Sequence, residues 1–156
     1  MPADVLTRIR ELLSAAGVEY RQAHHEPTRT SQESARARGE ELRSGGKALL
    51  LKVDKTYRLF VLSAARKLDS AAIKRHFGVK RSRFATSQEL QEMTGLTQGA
   101  IPPFGQPILP FELFVDESIL ENDIIAFNAG SLTTSMMIAV EDYLRVAKPQ
   151  VFRFSR

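Results

Sequence analysis

Lys47-Ala48-Leu49-Leu50-Leu51-Lys52-Val53-Asp54-Lys55-Thr56-Tyr57-Arg58-Leu59-Phe60-Val61-Leu62 reads as two strands, Lys47 to Val53 and Tyr57 to Leu62, joined by a hairpin-like connection at Asp54-Lys55-Thr56. Ala48 to Leu51 is almost continuously apolar, which places this strand in the middle of a sheet with both faces covered. A hairpin forbids a purely parallel sheet, so the sheet is mixed. Lys47 stands where the strand emerges from Ser44-Gly45-Gly46. A lysine at the end of a buried strand, after a flexible double glycine, can reach into a cleft or can sit in water.

Outward from this hairpin, helical and strand patterns alternate irregularly. Val5, Ile9, Leu12, Leu13 and Ala16 recur at helical spacing and predict a helix from Asp4 to Ala16, closed by Gly17. Val18 to Ala23 predicts a short strand. Thr30-x-x-Glu33 is a capping box for a helix ending at Arg38 and Gly39, with Arg29, Arg36 and Arg38 either on a solvated face or meeting phosphates. A helix from Asp69 or Ser70 runs to Phe77, and a second, capped by Ser87, runs from Gln88 to Thr94. Strands are expected at Ile108 to Leu109, Glu112 to Val115, Ile124 to Phe127, Thr133 to Ile138 and Val151 to Phe154. Asp116 to Asn122 reads as a polar turn, and Val140 to Ala147 as a last amphipathic helix stopped by Pro149. No repeat, low-complexity segment or linker interrupts the pattern, so residues 1–156 are expected to form one domain.

The composition bounds the function. The chain has 156 residues, 43% hydrophobic and 26% charged, with a formal charge of +4 and no cysteine. Disulfides and thiolate metal sites are excluded. No apolar run approaches the roughly 20 residues of a membrane span. Met1-Pro2-Ala3-Asp4 passes directly into an amphipathic pattern rather than a signal peptide, so a cytoplasmic protein is expected. His24 and His25 would point to opposite faces of a strand and make a poor chelating pair; no metal and no cofactor is expected. The densest basic cluster is Lys74, Arg75, Lys80, Arg81 and Arg83, which is either a solvated helix end or a surface for nucleic-acid phosphates.

The segment Thr97-Gln98-Gly99-Ala100-Ile101-Pro102-Pro103-Phe104-Gly105 is too apolar for an ordinary surface loop and too rich in glycine and proline for a helix or a central strand. It is a rigid, shaped loop, either a structural crossover or a wall with aimed N–H groups. Standard catalytic machines are absent. There is no Gly-x-Ser-x-Gly elbow, no Gly-x-Gly-x-x-Gly, and Gly45-Gly46-Lys47 lacks the remainder of a Walker loop. A lysine at a strand end, a Gly-x-x-x-Pro loop and an Asn128-Ala129-Gly130-Ser131 corner remain. That inventory suits electrostatic positioning of an anionic or ester substrate.

These segments resemble the YbaK and prolyl-tRNA synthetase-associated editing domain family of freestanding aminoacyl-tRNA deacylases. The resemblance is carried in order by Gly46 to Lys52, Thr94 to Gly105, Val115-Asp116-Glu117-Ser118, Phe127 to Ser131 and Val140 to Leu144. It implies a mixed α/β fold around a curved, mostly antiparallel sheet flanked by helices. It also implies trans-editing: hydrolysis of the ester of a mischarged small amino acid on a tRNA, of the proline type. Lys47 falls on the family's key lysine, and Gly99 to Pro103 on its pocket loop.

An aminoacyl ester is already activated, so a positioned water or the vicinal ribose hydroxyl suffices as nucleophile. N–H groups of Gly99, Ala100 or Ile101 would hold the oxyanion, with Lys47 on the terminal nucleotide. Pro102 and Pro103 cannot donate and form wall; Phe104, Asn128, Gly130 and Ser131 complete the substrate pocket. Some members carry a histidine where this chain has Asn128, which hydrogen-bonds but cannot act as a base at neutral pH. The expected partners are the acceptor end of a mischarged tRNA and an aminoacyl-tRNA synthetase. The alternative is a non-catalytic module that binds a tRNA acceptor end or a synthetase.

Overall fold

The computed structural model describes residues 4–156; the reading of Met1-Pro2-Ala3 lies outside the described residues. The predicted hairpin is its centre. β2 (Gly46–Val53) and β3 (Thr56–Ser63) pair antiparallel along their whole length, from Gly46 opposite Ser63 to Val53 opposite Thr56. The turn has two residues, Asp54 and Lys55, with Asp54 at φ 56°. An aspartate tolerates this left-handed conformation better than most side chains do.

Both faces of the hairpin are covered, for different reasons. Leu50, Leu59 and Val61 face a large core with Ile9 and Leu13 of α1 (Val5–Ala15), Ile125 and Phe127 of β6 (Ile124–Asn128), and Tyr143 of α6 (Val140–Ala147). Leu51, Val53, Phe60 and Leu62 face a smaller core with Ile73 of α3 (Ser70–Phe77), Phe114 and Phe154. Alternation along a strand sends successive side chains to opposite faces, so an apolar run is what a two-sided core requires.

The five-stranded sheet has the order β4-β2-β3-β5-β8, with β4 at Ser82–Phe84, β5 at Leu113–Val115 and β8 at Gln150–Val151. A second sheet of three strands, β1-β7-β6, contains β1 (Arg21–His24) and β7 (Thr134–Ala139). Only the β3–β5 and β5–β8 ladders are parallel; the other four among the described residues are antiparallel, so the mixed, mostly antiparallel expectation holds. The sheets meet at a parallel bridge between Gly45 and Ala126. Gly46 is therefore no flexible hinge. A Cβ on it would lie 2.6 Å from Ile125 Cδ1, so the glycine is there to let β6 pass close by.

Several local expectations change. α2 (Ser31–Arg38) is capped by Thr30, which accepts from Glu33 N; Glu33 returns its carboxylate to Arg29 N rather than to Thr30. α4 (Ser87–Thr94) is capped by Thr86, not Ser87, through a full capping box with Glu89. Ile108 and Leu109 are buried in a turn rather than a strand, both N–H groups donating to Gly105 O. Asp116 to Asn122 is not a plain turn: Asp116 caps the one-turn helix α5 (Glu117–Leu120). β4 had no signal in the sequence because three residues are too short for alternation to register.

Gly105 is where the rigid loop re-enters the core. A Cβ there would meet the Phe111 carbonyl oxygen at 2.5 Å and Leu113 Cβ at 3.2 Å. Backbone cannot rotate aside as a side chain can. Gly105→Ala is expected to cost about 1–3 kcal/mol, read as a lowered urea midpoint at constant slope.

Candidate active site

β4 pairs with β2 only at Leu51–Val53, and one more bond, Ala85 N to Leu50 O at 2.9 Å, extends the contact. Beyond it the outer edge of β2 is open toward Gly46. A cleft of about 510 Å³ lies along this open edge. Because Leu50 O points outward and direction alternates, Ala48 turns its N–H and C=O toward the cleft as well.

Four segments carry the polar lining of the cleft. β2 contributes Lys47, whose Nζ donates to Arg66 O at 2.6 Å. Partial burial lowers the pKa of this ammonium below the ordinary lysine value. The 97–105 loop contributes Gln98, Gly99 and Ile101. α2 contributes Ser31, Ser34 and Arg38, and its approach contributes Thr28 and Arg29. The end of β6 contributes Asn128.

A polar network fixes these parts to one another. Asn128 Nδ2 donates to Gly99 O at 2.8 Å, which pins the loop. Asn128 Oδ1 accepts from Arg38 Nη2 at 3.0 Å, and Arg38 Nε donates to Ser135 Oγ at 2.8 Å. Ser135 Oγ also lies 2.9 Å from His25 Nε2. Burial pulls the Arg38 guanidinium down to about 10, so it remains a cation at neutral pH. The solvated-face reading of Arg38 is thus corrected: its side chain crosses from α2 to bind β6 and β7. Among the described residues the cleft lining includes Lys47, Arg29 and Arg38 but no aspartate or glutamate.

The structure gathers some of the expected residues and separates others. Lys47, Gly99, Ile101 and Asn128 line the cleft together. The N–H of Ala100 donates inward to Thr97 O at 3.1 Å and is not aimed at the cleft. Among the described residues no main-chain acceptor faces the N–H of Gly99 or Ile101. Pro102, Pro103 and Phe104 are buried behind the wall. Phe104 packs edge-on to Phe127 and Tyr143, both at 5.5 Å, and the Tyr143 hydroxyl donates to Pro103 O at 2.6 Å. These three shape the loop from behind. Gly130, at φ 78°, lies over Val5, and Ser131 pairs with Thr133, so neither lines the cleft.

Of the basic cluster, Lys74, Arg75 and Lys80 border a shallow depression, while Arg83 is bound bidentately by Glu89. Arg83 together with Thr86 N and Tyr57 holds the Glu89 carboxyl well below its usual range. His24 and His25 take different partners, Thr134 and Ser135. Among the described residues no group of three or more His, Cys, Asp or Glu could hold a metal ion. No helix among them is long and apolar enough to cross a membrane.

Thr28, Ser34, Arg38 and Phe84 were missed as cleft residues. Thr30, Ser34 and Arg38 recur at i, i+4 and i+8, one face of a helix, and that spacing was the available signal. Nothing in the sequence said that this face met the open edge of β2.

Fold and cleft together define a class. This is a small mixed α/β domain that can engage an anionic-ended ester with backbone amides, amide side chains and fixed cations, with no carboxylate or thiol in the cleft among the described residues. Residues 25–146 match the family described as the aminoacyl-tRNA editing domain. The chain is 37% identical, over 96% of its length and 92% of the relative's, to the multifunctional Ser/Thr-tRNA deacylase ProXp-y of Escherichia coli. It is 23% identical, over 95% and 93%, to the prolyl-tRNA editing protein ProX of Acetoanaerobium sticklandii. It superimposes with a TM-score of 0.83 and 25% identity, covering 100% and 99%, on a crystal structure described as a candidate trans-editing enzyme for prolyl tRNA synthetase. The chain belongs to the aminoacyl-tRNA editing domain family and is a hydrolase of the aminoacyl-tRNA ester.

Proposed function

We propose that this protein removes serine and threonine esterified to the wrong tRNA, acting in trans in the cytoplasm. The observation that carries this reading is the cleft itself. Hydroxyls of Thr28, Ser34, Thr30 and Ser31 share it with Lys47 and Arg38, and Thr28 Oγ1 and Ser34 Oγ stand 2.7 Å apart in its buried floor. A site built to bond a substrate hydroxyl rejects analogues that lack it far more strongly than a site reading one methylene. The name of the relative at 37% identity points the same way.

In this mechanism a water attacks the ester carbonyl carbon. The negative charge that develops on the carbonyl oxygen meets the N–H groups of Gly99 and Ile101, which Asn128 holds in place through the Gly99 carbonyl. The bond to the ribose oxygen breaks, that oxygen takes a proton, and the free amino acid leaves. The vicinal ribose hydroxyl, adjacent to the ester within the substrate itself, relays the proton; among the described residues no carboxylate lines the cleft to do so. Lys47 and Arg38 hold the anionic end of the terminal nucleotide. Lys74, Arg75, Lys80 and Arg81 take phosphates of the acceptor stem, an attraction that weakens with salt. Editing in trans captures the tRNA after it leaves the synthetase, and a synthetase contact would raise the local concentration of charged tRNA.

The test is deacylation of one proline-type tRNA charged in turn with alanine, serine, threonine, cysteine and proline. Serine and threonine are expected to be released well above the rate without protein, with proline retained. Binding without release of any amino acid would favour the non-catalytic module instead.

A further inference from the structure

We infer that Phe84 is the platform on which the terminal base of the tRNA stacks, an inference that rests on the deacylase reading above. Three large apolar side chains are exposed among the described residues: Phe84 at 56%, Leu120 at 46% and Val151 at 43%. Of these, only Phe84 lines the cleft. Its ring belongs to neither hydrophobic core and has no aromatic neighbour among the described residues. The fold therefore gives no packing reason for a phenylalanine here.

The backbone beneath the ring is fixed. Phe84 is in register with Leu51, the next amide donates to Leu50 O at 2.9 Å, and the Phe84 carbonyl accepts from Arg83 Nη1 at 3.1 Å. A bare ring on a fixed edge strand at the mouth of a polar cleft is what base stacking needs. Every base has a π-face, and an aromatic side chain accepts it without reading sequence.

Position supports the same occupant. The ring stands opposite Leu51, and Lys47 lies four residues further along β2, about 13 Å away at strand rise. That separation suits a nucleoside with an aminoacyl ester, base at one end and charged groups at the other. Lys80 and Arg81 precede the ring on the same segment, exposed, in position for the phosphate of the preceding nucleotide.

The experiment compares wild type, Phe84→Ala and Phe84→Trp on a serine-charged acceptor minihelix and on one whose terminal nucleotide lacks its base. Binding of the uncharged minihelices is titrated in parallel. Phe84→Ala is expected to weaken binding and raise KM by about five- to one-hundred-fold with kcat nearly unchanged, while Phe84→Trp binds as wild type. Removing the base should cost wild type a similar factor and Phe84→Ala little more. Unchanged binding by Phe84→Ala, or losses that multiply when the base is also removed, would overturn the assignment. So would a changed preference among serine, threonine and alanine with affinity kept, which would put the ring against the amino-acid side chain. Failure of wild type to release serine would overturn the serine reading of the cleft, while the uncharged-minihelix titration still decides the stacking.

Discussion

Lys47→Ala is expected to lower kcat/KM for deacylation by about 100-fold or more while leaving the thermal midpoint nearly unchanged. Lys47 is partly buried, belongs to neither core, and is tethered to Arg66 O at 2.6 Å, so its charge is held at the cleft. Among the described residues no carboxylate lines the cleft to neutralise it, which leaves the ammonium free to meet substrate oxygens in the proposed reaction. In the proposed mechanism, removing it withdraws the attraction that holds the anionic end of the terminal nucleotide in place. Lys47→Met should behave like the alanine variant and Lys47→Arg should recover part of the loss, because charge rather than bulk is the working property.

The pH profile gives a second readout. Burial lowers the pKa of Lys47, and the proposed mechanism uses its charged form, so lysine-dependent activity is expected to be complete below that value and to fall as pH rises through it. The alkaline limb should therefore begin below the ordinary lysine range and be missing from Lys47→Met. Activity of Lys47→Ala within threefold of wild type would remove the lysine from the reaction.

Asp116→Ala is expected to have the largest effect on stability, about 3 kcal/mol or more. The carboxylate is fully buried and has no cationic partner among the described residues. It accepts from Phe154 N at 2.6 Å, Ser155 Oγ at 2.6 Å and Ser118 N at 3.0 Å. Each buried donor left without an acceptor costs about 1–3 kcal/mol, and three are orphaned together. In a chain of this size that corresponds to a fall of about 6–12 °C in Tm.

Burial alone would push this carboxyl up, but the hydrogen bonds outweigh it and hold it below the usual range. Its contribution is therefore present above the unfolded carboxylate value of about 3.9 and is lost as pH falls through the lower folded value. Asp116→Asn should be less stable at neutral pH and should lose part of the acid limb of wild-type unfolding. Because Asp116 lines no part of the cleft, activity per folded molecule should hold. Full stability in Asp116→Ala would show that the C-terminal segment is anchored otherwise.

Asp116 also shows how far the sequence could be read. Its motif, Val115 to Ser118, carried the family resemblance but gave no hint of its job. The partners are Phe154 and Ser155, nearly forty residues on, and a hydrogen bond between such distant positions leaves no local pattern. Arg38 failed for the same reason. A charged residue near a helix end reads as solvated, and only the arrival of Asn128 and Ser135 from the other sheet turns it into a cross-brace. The proline pair of the 97–105 loop was legible as rigid, but which of its faces met solvent was not. Phe104 is buried to 1% behind the wall that Gly99 and Ile101 present.

What the sequence determined by itself is whatever repeats at short range. The apolar run of β2, the caps at Asp4, Thr30 and Asp69, and the glycine stops at Gly39, Gly78 and Gly95 all follow from local sterics and hydrogen bonding. Tertiary structure alone decided the cleft. It exists because β4 stops pairing after Leu51, leaving the rest of the β2 edge open, and because one face of α2 and the Gly99 loop close over that edge. These are contacts between segments far apart in the chain, chosen by packing of the whole domain, and no window of sequence contains them.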